Sequence, residues 1–297
     1  VLGTITGTPN IYLNSSVPSS TVTVQLTSTT EAQSLNLFVE SGTHAFALTT
    51  GSSIRSLNFT GFTGSWSVST ATATFYGSLT LASGMTVTPS SGTWTFAASS
   101  GTQVITSNGK TVGPITQNNP GATVQLNGNL TLNSLRTYTL TAGTLDLASN
   151  TLTTGGFSSS SGSTRAILFG TGNVTCIGVG TVTWNCNTLV GVTYTGTPTV
   201  NISNNSATAT TFQNGPTGVT ESNAFNFNFT TGTYALTVTG IAAKNVSFVG
   251  FAGSWSPGAT GATIYGNFTF SSGMAFASGT LAFTFAATSG NSKKELV

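Results

Sequence analysis

Apolar and polar residues alternate in short stretches along the whole chain, with Thr, Ser or Asn between the apolar positions. Examples are TVTVQL at 21–26, LNLFV at 35–39, TWTFAA at 93–98 and TLDLAS at 144–149. A period of two is typical of β-strands with one buried face, and the Gly, Asn and Ser-Gly breaks between them are typical of turns. No window has the i, i+3, i+4, i+7 spacing of an amphipathic helix over a useful length. The pattern therefore predicts an all-β protein.

A long internal repeat is visible when the chain is compared with itself. SLNFTGFTGSWS at 56–67 returns as NVSFVGFAGSWS at 245–256, and FYGSLTLASGM at 75–85 returns as IYGNFTFSSGM at 264–274. Gly61 and Gly250 are the equivalent glycines of the two copies. We therefore predict a first repeat unit over 1–189, a partial second copy over 190–290 and a charged tail over 291–297 that caps the repeats.

Three β architectures accommodate such a series of short strands. They are a β-solenoid of stacked turns, a tandem array of β-sandwich domains and a transmembrane barrel. The barrel fits least, because the Trp and Tyr residues form no paired bands. The short, even spacing of the strands favours the solenoid over the sandwiches, with about 20 to 24 residues per turn and roughly 13 turns.

Charged residues are scarce, at 4% of the chain against about 25% in an ordinary soluble domain. The net charge is +2, and the seven Lys and Arg residues form no stripe that could neutralise a run of phosphates, so we expect no nucleic-acid partner. No apolar run is long enough to form a membrane-spanning helix, so we expect no membrane insertion.

The two cysteines, Cys176 and Cys186, lie close together in sequence, in VTCIGVGTVTWNC. They either form a disulfide between neighbouring strands, which would indicate an oxidising compartment, or remain as two half-buried thiols. His44 is the one histidine, and it lies far from both in sequence. We therefore expect no metal site and no cofactor.

Three charged residues fall on successive predicted strands: Arg136, Asp146 and Arg165. If they share one face, they could contact a sugar or a carboxylate; otherwise they form a surface ion pair or remain solvated charges. The acidic residues include no adjacent pair, and Glu31 and Glu221 occupy equivalent positions in the two copies. A repeated structural role suits these two better than an acid–base dyad, so we predict that the protein is not an enzyme.

The repeated GF-x-GSW block concentrates aromatic residues. These could form a carbohydrate platform, but burial as core that fills the turns is the interpretation we favour. The residues are Phe59, Phe62, Trp66, Phe248, Phe251 and Trp255.

The sequence motifs of the repeat resemble those of a group of known proteins. GF-x-GSW, YG-x-x-T-x-x-SGM, TFAA-x-SG-TQVITSNGKTV and LTLNSLRTYTLTAGTLDLASNTLTTGGF are similar to long, uncharacterised Thr/Gly-rich repeat proteins of tailed bacteriophages and environmental viruses. The resemblance covers nearly the whole chain and carries no catalytic residues. It implies a structural protein on the virion surface or outside the cell, as a fibre, appendage or decoration that serves host attachment.

The expected partners follow from this interpretation. Exposed end strands favour self-association into a homo-oligomer or fibre, and attachment implies a glycan or protein of a host surface. The alternative function is that of a bacterial cell-surface adhesin or a self-assembling extracellular filament subunit.

Overall fold

The computed structural model describes residues 7–14, 20–26, 30–67, 71–89, 91–178, 182–186, 191–204, 210–214, 219–257, 261–276 and 283–287. These residues form strands and turns, with one turn of 3-10 helix at Glu31–Gln33 and no α-helix among them. The strands stack in parallel as a β-solenoid of about 11 turns, so the predicted fold is confirmed.

The first strands, up to the middle of the chain, are β1 (Asn10–Asn14), β2 (Thr21–Val24), β3 (Asn36–Ser41), β4 (Ala45–Leu48), β5 (Ser52–Ile54), β6 (Ser56–Asn58), β7 (Ser65–Ser67), β8 (Ala73–Phe75), β9 (Leu79–Thr80), β10 (Thr86–Thr88), β11 (Trp94–Phe96), β12 (Gly101–Thr106), β13 (Thr111–Val112), β14 (Ile115–Leu126), β15 (Leu130–Leu132) and β16 (Thr137–Asp146). The remaining strands are β17 (Thr151–Thr154), β18 (Gly156–Ser158), β19 (Arg165–Gly170), β20 (Asn173–Cys176), β21 (Val182–Cys186), β22 (Val192–Gly196), β23 (Thr199–Ile202), β24 (Thr210–Asn214), β25 (Phe225–Phe229), β26 (Ala235–Thr239), β27 (Ile241–Ser247), β28 (Ser254–Pro257), β29 (Ala262–Ile264), β30 (Phe268–Thr269), β31 (Ala275–Phe276) and β32 (Phe283–Phe285).

The chain divides into two compact units. Unit 1 comprises Val1–Asn133 and Thr141–Asp146, and unit 2 comprises Ser134–Leu140 and Leu147–Val297. The repeat boundaries at 189 and 290 rest on sequence and stay a prediction, and the charged tail over 291–297 lies outside the described residues.

Where a turn of the solenoid contributes three strands, a strand pairs with the third strand after it. In unit 1 β3 pairs with β6, β4 with β7 and β5 with β8. In unit 2 β18 pairs with β21, β19 with β22 and β20 with β23. Every one of these pairings is parallel, which a β-solenoid achieves because each strand returns to the same face one turn later.

The turns differ in length more than the sequence pattern predicts. Thr137 lies opposite Gly156 one turn later, whereas Trp184 lies opposite Phe212, so the second of these turns is much the longer. The turn from Thr137 to Gly156 is shorter than the expected length of about 20 to 24 residues, and the turn from Trp184 to Phe212 is longer. Because some connections between strands hold more residues, the chain completes fewer turns than the roughly 13 expected.

Some strands continue around a corner of the solenoid. The first residues of β14 pair with β11 and its last residues pair with β12, and Gly121 between them has a φ of +85°. Gly143 plays the same part in β16, with a φ of +88°. The alternating stretch TLDLAS does not start a strand of its own: its first residues belong to β16, because Gly143 adopts a left-handed conformation without ending the strand.

The core follows the alternation seen in the sequence. In β25 the residues Phe225, Phe227 and Phe229 are buried, and the Asn residues between them are half-buried. Aromatic rings stack between successive turns in unit 2, with ring centroids 6.0 Å apart for Tyr138 and Phe157 and 4.8 Å apart for Phe157 and Trp184. The interior of each unit is therefore filled by large apolar side chains, and the outer faces carry small polar ones.

Candidate functional site

The aromatic residues of the repeated GF-x-GSW block lie inside the solenoid. Phe59, Phe62 and Trp66 in unit 1 are 0% exposed. Their equivalents in unit 2, which are Phe248, Phe251 and Trp255, are also 0% exposed. This confirms that the block is core, because a ring with no exposed surface cannot form a platform for a sugar.

Local structure repeats between the two copies. The side chain of His44 packs edge-on against Phe62 with a centroid distance of 5.1 Å, and Tyr234 packs edge-on against Phe251 at 5.3 Å. The carbonyl oxygen of His44 lies directly over Gly64. A ring at this position therefore has a packing role, and its chemical identity differs between the copies.

The burial of His44 makes an unfavourable contribution to the free energy of folding. The residue is 0% exposed, and neither Nδ1 nor Nε2 has a hydrogen-bond partner. Both ring nitrogens are therefore removed from water without a compensating hydrogen bond.

We expect His44→Phe to raise the free energy of unfolding by about 1–2 kcal/mol, because it removes both buried polar groups and keeps the ring contact with Phe62. The measurement is urea unfolding followed by circular dichroism. His44→Ala is the matched control, which removes the same polar atoms but leaves a cavity and should destabilise the fold. Loss of stability in His44→Phe equal to that in His44→Ala would contradict the argument.

The three charged residues singled out by sequence lie in different environments. Arg136 is half-buried just before β16, and its carbonyl oxygen accepts a hydrogen bond of 3.1 Å from Thr154 Oγ1. Asp146 is half-buried at the end of β16 and accepts a bond of 2.8 Å from Gln125 Nε2. Arg165 is 0% exposed. The guanidinium of Arg165 is buried rather than turned toward an outer face, and contacts of the three residues with a sugar or a carboxylate stay a prediction.

The buried Arg165 lies in unit 2 close enough to Cys186 for their charges to interact. Cys176 and Cys186 are free thiols, fully buried rather than half-buried as expected. Burial raises the pKa of Cys176 to about 12. Burial also raises the pKa of Cys186, although the positive charge of Arg165 acts in the opposite direction, and burial lowers the pKa of Arg165 itself. The thiols are thus protonated at neutral pH and serve as small apolar groups.

These raised pKa values predict alkaline destabilisation. An unfolded thiol releases its proton near pH 9 whereas Cys176 in the fold holds it to about pH 12, so stability is complete below pH 9 and falls as the pH rises between these values. The slope for each thiol is about half of its full value at pH 9 and approaches about 1.4 kcal/mol per pH unit above that pH. Urea unfolding at several pH values from 8 to 10 measures it, with the Cys176→Ala/Cys186→Ala double variant as control. An equal slope in the wild type and the double variant would rule the thiols out as its source.

Glu31 and Glu221 occupy equivalent turns. The amide of Thr30 donates to Gln33 Oε1 over 3.3 Å, and in the second copy the amide of Thr220 donates to Asn223 Oδ1 over 2.6 Å. Glu31 Oε2 accepts a bond of 3.1 Å from the amide of Ser99. The turn is thus a repeated structural element, and a shared structural role of the two carboxylates stays a prediction.

A buried amide network in unit 1 was not anticipated from the sequence. Asn119 Nδ2 donates to Gln103 Oε1 over 3.2 Å, and Gln117 Nε2 donates to Asn119 Oδ1 over 2.9 Å. Gln103 Nε2 also donates to the carbonyl oxygens of Phe75 and Gly77 over 2.9 and 3.0 Å. Nothing in the spacing of QVITSN and QNNPG marks these residues as interior, because only the stacking of three turns brings them together.

Amide side chains also form a ladder on an outer face of unit 2. Asn201 Nδ2 donates to Asn173 Oδ1 over 3.2 Å, and Asn228 Nδ2 donates to Asn201 Oδ1 over 3.0 Å. The three residues come from β20, β23 and β25, which are successive turns of one face. Asn228 lies directly opposite Asn201, whereas Asn201 lies opposite Thr175 and reaches Asn173 diagonally, so the side-chain ladder links three turns without keeping one register.

A surface pocket of about 290 Å³ lies where three turns of unit 1 stack, at residues 60–63, 81–84 and 108. Ala82 gives it a small apolar floor, since Leu81 is fully buried. Thr60, Thr63 and Asn108 lie at its rim and are held by bonds within the fold: Thr60 Oγ1 donates to Asn58 Oδ1 over 2.6 Å, Thr63 Oγ1 donates to the carbonyl of Gly42 over 3.2 Å, and Asn108 Nδ2 donates to the carbonyl of Leu81 over 2.7 Å. The pocket residues carry no charge.

Within the described residues no group of three or more His, Cys, Asp or Glu side chains could hold a metal ion. No helix in that part of the chain is long and apolar enough to cross a membrane. Comparisons with protein-family models, with curated proteins and with solved structures find no match to this chain.

Proposed function

We propose that this chain is a non-enzymatic structural repeat protein that forms a virion fibre, appendage or surface decoration and serves attachment to a host surface. The β-solenoid fits a structural repeat protein. The observation that supports the proposal best is the combination of backbone and side-chain ladders: parallel strands stack turn on turn, and the Asn173–Asn201–Asn228 ladder runs along the same face.

The low charge supports the same proposal. Small hydroxyl and amide side chains allow stacked turns and neighbouring copies to approach without burying ions, so the protein can self-associate at low desolvation cost. The proposed location is the virion surface or the extracellular space.

Immunogold electron microscopy of the native source, with an antibody raised against the purified chain, tests the proposal. Label on fibres or appendages of virus particles is the expected result. Label on cell envelopes or free filaments would replace the virion assignment by that of an adhesin or filament subunit, and label confined to the cell interior would overturn a surface role altogether. Antibody adsorbed beforehand with the purified chain is the control for specificity.

A further inference from the structure

We propose that the pocket between the stacked turns of unit 1 binds a neutral sugar ring. The inference rests on the attachment role proposed above and gives it a ligand. It is carried by the volume of the pocket, about 290 Å³, by the polar atoms that its rim presents, and by the absence of charged residues among those that line it.

The rim presents hydrogen-bond acceptors that the fold has already positioned. Thr60 and Thr63 donate their hydroxyl protons to Asn58 Oδ1 and to the carbonyl of Gly42, so each hydroxyl oxygen offers lone pairs. Asn108 donates an amide proton to the carbonyl of Leu81, which leaves its own carbonyl oxygen as an acceptor. A ligand that complements several acceptors without charge is rich in hydroxyl donors. The side chains also lose little freedom on binding, because internal bonds hold them in place.

The floor supplies the second half of the recognition. Leu81 is 0% exposed and Ala82 is 7% exposed, so the apolar floor beneath the rim is the small surface that Ala82 exposes. A sugar ring has an apolar face of C–H groups and a margin of hydroxyls, and this combination matches an apolar floor with a polar rim. A charged sugar would find no counter-charge among the lining residues.

The second copy of the repeat provides an internal comparison. Its equivalent turn has Val249 in place of Thr60 and Ala252 in place of Thr63, and Phe270 replaces Leu81. The backbone of the turn is nevertheless the same, because the amides of Phe62 and Phe251 donate to the carbonyls of Phe59 and Phe248 over 2.9 Å in both copies. The fold thus accepts residues without hydroxyls here, and the hydroxyls of the first copy are available for a ligand.

Saturation-transfer difference NMR on the full chain tests the inference, with the methyl glycosides of glucose, galactose, mannose and N-acetylglucosamine as probes. We expect transfer from the wild type to at least one probe, with a Kd of about 1 mM or tighter. The Thr60→Val/Thr63→Ala double variant should bind at least about tenfold more weakly, and circular dichroism should show an unchanged fold because the second copy already carries these residues. Val249→Ala is the matched control and should bind as the wild type does.

A second variant keeps the test decisive if the double variant does not fold. Ser83 is exposed and lines the pocket, so Ser83→Tyr fills the space without removing a bond that the fold uses. Binding that survives Ser83→Tyr, or the absence of transfer to all four probes at about 10 mM, would overturn the proposal. If no sugar binds but the immunogold label lies on virion appendages, the proposed structural function stands without this ligand. If a sugar binds but the label is confined to the cell interior, the binding site stands and the proposed function is wrong.

Discussion

Replacing Trp184 with Ala is expected to lower the free energy of unfolding by about 3–5 kcal/mol. The indole is fully buried and stacks between Phe157 and Phe212, at centroid distances of 4.8 and 6.4 Å. It also contacts Phe225 edge-on at 5.6 Å. Because its neighbours come from different turns, their strands cannot all move inward to close the cavity, and the loss should fall at the upper end for a large-to-small change.

Equilibrium urea unfolding followed by circular dichroism measures this loss. Trp184→Phe keeps an aromatic ring in the stack and should cost much less than Trp184→Ala. Val249→Ala is a matched surface control, because Val249 is 64% exposed, and its effect should stay within about 0.5 kcal/mol. Equal losses in Trp184→Ala and Val249→Ala would show that the aromatic stack does not stabilise the solenoid.

Gly61→Ala is expected to destabilise the fold by about 3 kcal/mol or more. Gly61 has a φ of +89°, and a Cβ atom there would collide with the carbonyl oxygen of Glu40 in the preceding turn. Backbone strain and steric overlap therefore act together, and relief of the overlap would require two stacked turns to separate.

The matched variant Gly51→Ala separates these two causes. Gly51 has a similar φ of +79°, but a Cβ atom there would meet nothing within 4 Å. It should bear only the conformational cost of about 1 kcal/mol, so thermal unfolding of the two variants side by side measures the steric part. If both variants lose the same stability, close approach between turns is not what requires Gly61.

Local sequence pattern was sufficient for the fold class. The alternation in LNLFV and TWTFAA defines which side chains of β3 and β11 face inward, and the equivalent glycines at 61 and 250 fall at equivalent corners. The number of turns was less accessible, because it depends on how many residues each connection holds, and turn-forming residues do not report that length.

Interior polar residues were the hardest to anticipate. Arg165 and His44 look like surface residues by type, and only the register of their strands with neighbouring turns places them inside. The pocket in unit 1 could not be predicted from the sequence for a related reason. Its walls come from residues 60–63, 81–84 and 108, which are unremarkable turn residues when they are read one turn at a time.

The amide ladder in unit 2 has a direction. Asn201 donates back to Asn173 and Asn228 donates back to Asn201, so each turn supplies the proton and the turn before it supplies the oxygen. Asn245 likewise donates back to Asn226 over 2.7 Å. A chain emerging from the ribosome with its N-terminal turns already folded therefore presents a fixed acceptor to each arriving turn. Along these turns synthesis and folding can proceed in the same order, with each completed turn of the ladder serving as the template for the next.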